Sequence, residues 1–345
     1  MRTAFSAGQN DGGQLGMPDA IQHRTPNPIL GIKEDVLQVA AGGMHSVVLT
    51  NTGLYTFGVG DEYATGRSDN DRNPVLVFPN FKGKDISKIA AGDNLTAFIY
   101  KDNLYVFGTF RGENGVIGVN NDVLIQQKPE QIFLGVNESE SAKDIAVGDN
   151  HVVVLCHSGN VYAFGRSDNY QTGYRTSTRH NNRWCSTDYP IIKNIQLIGA
   201  GAHHCIFVTT TFDIYTCGIN GFGQLGIPTR NLMQQLVKNS ELTLFFKQLN
   251  DPLIQVDGSN DNSFFLTKDG KVFAIGKCTF GLVGTKVKNS DHTIEPQLLD
   301  FKYPIKSIAA GGSAALALTQ DQIVYSWVLV YLFRVKSQIM LLHMV

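Results

Sequence analysis

Glycines recur through this chain in a fixed order. One kind, flanked by small and polar residues, stands at Gly42, Gly92, Gly148, Gly201, Gly258 and Gly311, about fifty residues apart. A second follows behind an aromatic or apolar residue (Gly58, Gly108, Gly165, Gly218, Gly276), and a third lies eight residues further on (Gly66, Gly173, Gly226, Gly284). The segment AGQNDGGQLG, with Gly8 and Gly16 in the same relation, is an orphan copy of that last half. A period of this length restricts the chain to stacked units, because no single unit can bury its apolar face alone.

Between the first and second glycines the chain reads as a hairpin. SVVLT-NTG-LYTFG, VVVLC-HSG-NVYAFG and FFLT-KDG-KVFAIG are β-rich runs joined by a glycine turn. Each unit is thus a small antiparallel sheet, and radial stacking of such sheets gives a propeller. The expected organisation is one domain over residues 1–327. It begins with a half-repeat over 1–40, and six repeats follow from near 41, 90, 146, 199, 256 and 309.

Composition narrows the function. Hydrophobic residues make up 43% of the 345 residues, with 20 Phe and 12 Tyr, and the net charge is −1. That excludes disorder, and it gives the domain as a whole no electrostatic reason to sit on nucleic acid or an anionic membrane. The five cysteines lack CxxC spacing and do not form a disulfide framework, which suits a reducing cytosolic or nuclear compartment. Gly221 to Gly226 match GxGxxG, but here that is one instance of a turn found in every repeat, not a turn opening a helix. No P-loop occurs, and Gly311-Gly312-Ser313 lacks the glycine a nucleophile elbow needs.

The phrases AAGGMHSVVLT, IAVGDNHVVVL, NVYAFG and GFGQLG resemble the repeat of the regulator of chromosome condensation family. The resemblance reaches to about Trp327. It implies an all-β, seven-bladed β-propeller whose last blade is here incomplete. The spacing from second to third glycine is two residues longer at FGTFRGENGVIG, between Gly108 and Gly118. This tract resembles the β-wedge that the family's founding member, the exchange factor for the small GTPase Ran, presses against its partner. Phe110, Arg111, Glu113 and Asn114 are accordingly expected to contact a GTPase.

The resemblance also implies a binding rim. Carboxylates recur at the bends (Asp11, Asp61, Asp93, Asp149, Asp261), where Asp tolerates tight turns and caps its own backbone. Gathered on one rim by the ring, they would suit a basic partner. The expected rim contacts are Asp11, His45, Asp93, Asp149, Asn150, His151 and Asn262, whereas His203 and His204 read as structural turn residues and not as zinc ligands. Two positions depart from the family. Its Gly-Asn-Asp-His is Gly148-Asp149-Asn150-His151 here, and its paired histidines are replaced in Asn260-Asp261-Asn262.

The implied activity is guanine nucleotide exchange on a Ran-like small GTPase, achieved by binding without covalent chemistry, cofactor or metal. It would support nucleocytoplasmic transport and mitotic chromosome functions from the nucleus. The alternative is a non-exchanging adaptor on the same fold, bound to another protein. The chain is expected to be monomeric and off the membrane. Chromatin or histone contact would be weak, because the chain enters its first repeat by Phe5 without the family's basic tail. The loop holding Arg175, Arg179, His180 and Arg183 reads as solvated, with a phosphate contact as the alternative. Beyond Trp327 the apolar tail 328–345 leaves the pattern, interrupted by Arg334 and Lys336. Either this tail replaces one closing strand imperfectly or the chain is truncated or mis-assembled there, and in both cases the strand edge beside Asp11 is expected to lack a full partner.

Overall fold

In the computed structural model, described residues are 2–112, 115–116, 123–174, 190–228, 233–279, 281–284, 290–312 and 314–327, with the backbone of 339–343. Each repeat folds as an antiparallel meander, and the meanders are arranged around a central channel. Blade 1 holds Val36–Ala41, His45–Thr50, Leu54–Gly58 and Val75–Val77. Blade 2 holds Ile86–Ala91, Leu95–Tyr100, Asn103–Gly108 and Gln126–Ile132; blade 3 holds Ala142–Val147, His151–Cys156 and Val161–Gly165. Blades 4, 5 and 6 begin with Ile195–Ala200, Leu253–Gly258 and Ile305–Ala310.

The propeller has six blades, which corrects the expectation of seven. Among the described residues there are six hairpin anchors, and the N-terminal half-repeat is not completed into an antiparallel blade. Ala4–Gly8 instead pairs antiparallel with His23–Pro28 and parallel with Ile339–His343, in the register Ala4↔Ile339 to Gly8↔His343. A strand returning from a hairpin would run antiparallel, so this closing sheet is of another kind from the blades. It also corrects the expectation of an open edge, because Ala4–Gly8 has a partner on both sides.

Stacking explains the composition of the strands. The second strand of blades 1, 3, 4 and 5 is buried along its whole length, because each is covered by a blade on both faces. The apolar clusters lie at the boundaries between blades. Phe98 and Phe107 of blade 2 pack with Val47, Leu49 and Leu54 of blade 1, and Leu95 and Val106 pack with Val152 and Phe164 of blade 3. One helix, Ser240–Leu249, was not expected. Asn239 caps it by accepting from the Leu242 N–H at 2.9 Å, and Leu242 and Phe246 enter the apolar boundary between blades 4 and 5.

The innermost strand of every blade contributes to the wall of the channel, a cavity of about 640 Å³.

Candidate functional site

The recurring first glycine closes a turn. Its N–H donates to the carbonyl three residues on: Gly42 to His45, Gly92 to Leu95, Gly148 to His151, Gly201 to His204 and Gly311 to Ala314. In blade 5 the pair is Ser259 and Asn262, so the equivalent residue is Ser259 and not Gly258. Where a histidine ends the turn, the glycine is forced: a Cβ at Gly42, Gly148 or Gly201 would meet the ring of His45, His151 or His204, and blade 5 carries Asn262 in place of that ring.

These turns also join the blades through main chain. Gly43 N–H donates to Gly92 O at 3.0 Å, Asp93 to Asp149 at 2.8 Å, Asp149 to Ala202 at 3.2 Å, Ala202 to Ser259 at 3.2 Å, and Asn260 to Gly312 at 3.1 Å. The result is a belt of hydrogen bonds at one mouth of the channel.

Just beneath it run side-chain relays. His45 Nε2 meets Thr96 Oγ1 at 2.9 Å, and that hydroxyl donates to Ala64 O at 2.8 Å. His204 Nε2 meets Ser263 Oγ at 2.9 Å, which donates to Gln224 O at 2.6 Å. His151 Nε2 meets Cys205 Sγ at 3.1 Å, which donates to Gln171 O at 3.1 Å. Since each hydroxyl or thiol hydrogen goes to a carbonyl, the imidazole donates from Nε2. Burial holds His151 and His204 neutral, with pKa values pushed down to about 3.

These positions correct part of the site expectation. His45 and His151 are buried and join blades, so they do not face a partner. Asn262 is buried as well, its Nδ2 donating to Lys277 O at 2.8 Å. Asn150 lies 6% exposed, its Oδ1 accepting the Arg111 N–H at 2.8 Å. Phe110 is core: it packs edge-on to Phe164 at 6.1 Å and is 1% exposed. Each residue was legible as special, but the repeat alone does not say whether a conspicuous side chain turns outward or into the next blade.

The carboxylates behave differently. Asp11, Asp93 and Asp149 all line the channel mouth, a concavity of about 580 Å³. Burial pushes Asp93 up from the usual carboxylate range, aided by the neighbouring Asp149. Asp149 is likewise raised by burial, against the pull of His203, whose Nε2 lies 3.8 Å away. Asp11 is held down, chiefly by the amide of Gln14 donating at 3.1 Å. Asp61 accepts from Asn70 at 3.0 Å, and Asp261 pairs with Lys277 at 3.0 Å.

Asp257 completes the mouth and was missed. It replaces the alanine or glycine found at the equivalent inner-strand position of the other blades (Ala40, Ala90, Ala146, Gly199, Ala309), which was the available signal. Its Oδ2 accepts the Ala310 N–H of blade 6 at 2.9 Å, and burial pushes its pKa up to about 7.

Beside this mouth the longer copy forms a short hairpin, Arg111–Gly112 against Gly115–Val116, in the register Arg111↔Val116. Glu113 and Asn114 lie outside the described residues, as does the arginine loop from 175 to 189. Among the described residues no His, Cys, Asp and Glu group could hold a metal ion, and no helix is long and apolar enough to cross a membrane.

Fold and face together define a β-propeller with an acidic channel mouth and a hairpin beside it. The RCC1-like domain profile matches residues 3–327, and the chain belongs to that family. It is 29% identical over 341 residues to the Regulator of chromosome condensation of Xenopus laevis, covering 94% of this chain and 78% of that protein. It is 24% identical to Guanine nucleotide exchange factor SRM1 of Saccharomyces cerevisiae, covering 91% and 74%. The crystal structure of Prp20p from Saccharomyces cerevisiae, described together with that protein's binding to Gsp1p and histones, superposes with a TM-score of 0.82. It shares 21% identity, over 97% of this chain and 84% of that one.

Proposed function

We propose that the chain is a guanine nucleotide exchange factor for a Ran-type small GTPase, acting in the nucleus. The observation that carries this reading is the short hairpin at Arg111–Val116, rooted one residue from the acidic channel mouth through Asn150. The mouth holds the GTPase through Asp11, Asp93 and Asp149. The hairpin presses on the loop that grips phosphate. Release accelerates because the propeller binds the empty GTPase more tightly than the loaded one. Each tenfold gain requires about 1.4 kcal/mol of that difference. Histone contact, named for the yeast relative, would place the activity at chromatin.

The test is release of fluorescent GDP from Ran by catalytic amounts of the protein. We expect at least tenfold acceleration. Tight binding without acceleration would make the chain an adaptor.

A further inference from the structure

The root of the blade 2 hairpin is fastened from three directions. From blade 3, Asn150 Oδ1 accepts the main-chain N–H of Arg111 at 2.8 Å. Asn150 is itself fixed, because its carbonyl accepts the Arg166 N–H at 2.7 Å. From the loop of blade 1, the Glu62 carboxylate pairs with the Arg111 guanidinium, and the Glu62 carbonyl accepts from Thr109 Oγ1 at 3.2 Å. From below, Phe110 is locked in the core against Phe164, and a Cβ at Gly165 would meet its ring at 2.8 Å.

We propose that Asn150 is a positioning residue for exchange: its side-chain oxygen sets the angle at which the hairpin leaves the propeller, with Glu62 as the second post. The backbone makes this necessary. The ladder of blade 2 ends at Gly108 and the hairpin pairing starts at Arg111, so Thr109 and Phe110 lie between two sheets. A pair of two-residue strands has too little pairing of its own to fix a direction. Thr109 N–H finds the Asn94 carbonyl at 2.8 Å, and Arg111 N–H finds Asn150. Remove that oxygen, and the Arg111 donor is left without its acceptor and the root loses one of its three fastenings, the one that acts on its main chain.

The assignment also explains the transposed acid. At the buried position the wedge requires only an acceptor, and a neutral amide supplies it without burying a second charge beside Asp149. The charge stands one residue earlier, on the channel mouth.

This inference rests on the proposed exchange activity, and two readouts separate them. In GDP release from Ran, Asn150→Ala should lower the maximal rate at least tenfold while the half-saturating GTPase concentration moves less than threefold. Asn150→Asp, which keeps an acceptor, should stay within threefold of the parent rate. Glu62→Gln should lose about threefold. By hydrogen exchange, the Arg111 amide should open at least tenfold faster in Asn150→Ala. If that variant does not fold, Asn150→Ser, whose oxygen falls short of Arg111, gives the same comparison. An unchanged rate despite a faster Arg111 amide overturns the proposal. So does equal loss of rate in the Ala and Asp variants with the amide still protected, which would make Asn150 a direct contact. A parent protein that accelerates nothing, with the amide protected only when an acceptor stands at 150, overturns the exchange reading and leaves Asn150 as a fastener of the hairpin.

Discussion

His204 Nε2 donates to Ser263 Oγ across the boundary between blades 4 and 5 at 2.9 Å, while the serine hydroxyl is committed to Gln224 O. The ring is therefore fixed as a neutral donor. Its pKa of about 3 lies below that of a histidine in the unfolded chain. The unfolded state takes up a proton near pH 6.5, where the folded state does not, so this stability is present above that pH and is lost as pH falls towards about 3. Replacing His204 by Gln, which can still donate, should flatten the stability profile between about pH 4 and 6 by about 1.4 kcal/mol per pH unit. Urea midpoints across that range check it.

Asp257 has the opposite sign. Its folded pKa of about 7 lies above the ordinary value, so its contribution is fully present at low pH and is lost as pH rises from about 4 to about 7. Asp257→Asn should melt higher than the parent at pH 8 and lower at pH 5, where the protonated acid is tolerated and the amide oxygen must serve both Gly258 and Ala310. Parallel melting curves for the two proteins would contradict this.

Phe110→Ala should destabilise the fold by about 3–5 kcal/mol, the usual cost of deleting a buried aromatic side chain. Arg111→Ala, on an exposed side chain, should change the melting point little while reducing exchange. The two neighbours thus divide core from hairpin, and denaturation with GDP release measured on both variants tests the division.

At the channel mouth, Asp11→Asn and Asp93→Asn each remove one charge at nearly constant shape. Each should weaken GTPase association about tenfold at low salt and make binding less salt-dependent. Titrations at two ionic strengths decide the matter.

Gly201→Ala places a methyl group against the His204 ring and the Ser259 carbonyl, and should cost about 1–3 kcal/mol. Ser259→Ala, at the equivalent turn of blade 5, should cost under about 1 kcal/mol. Chemical denaturation of both variants compares the two turns.

The period was legible chiefly because glycine is forced at Gly42, Gly92, Gly148 and Gly201, where the turn leaves no room for a Cβ. The exception at Ser259 was misread for a related reason. Gly258 sits one residue away, and only the hydrogen bond to Asn262 reveals which residue closes the turn. The count of blades was not legible, since a lone strand such as Ile339–His343 completes the ring without a repeat signature. At the site, the bend positions led to Asp11, Asp93 and Asp149 on the mouth, whereas Asp61 and Asp261, at similar bends, do not line it and are held by Asn70 and Lys277. The place of the histidines was not legible, because their partners Thr96, Cys205 and Ser263 lie more than fifty residues away and belong to the next blade.

The belt that joins one anchor turn to the next is made of main-chain groups alone. Side chains at 93, 149, 202 and 260 are therefore released from the task of keeping the ring shut. Mutation can redraw the charge pattern around the channel entrance without loosening its frame. A lineage built on this plan can change what it recognises by many small steps, each of which still folds.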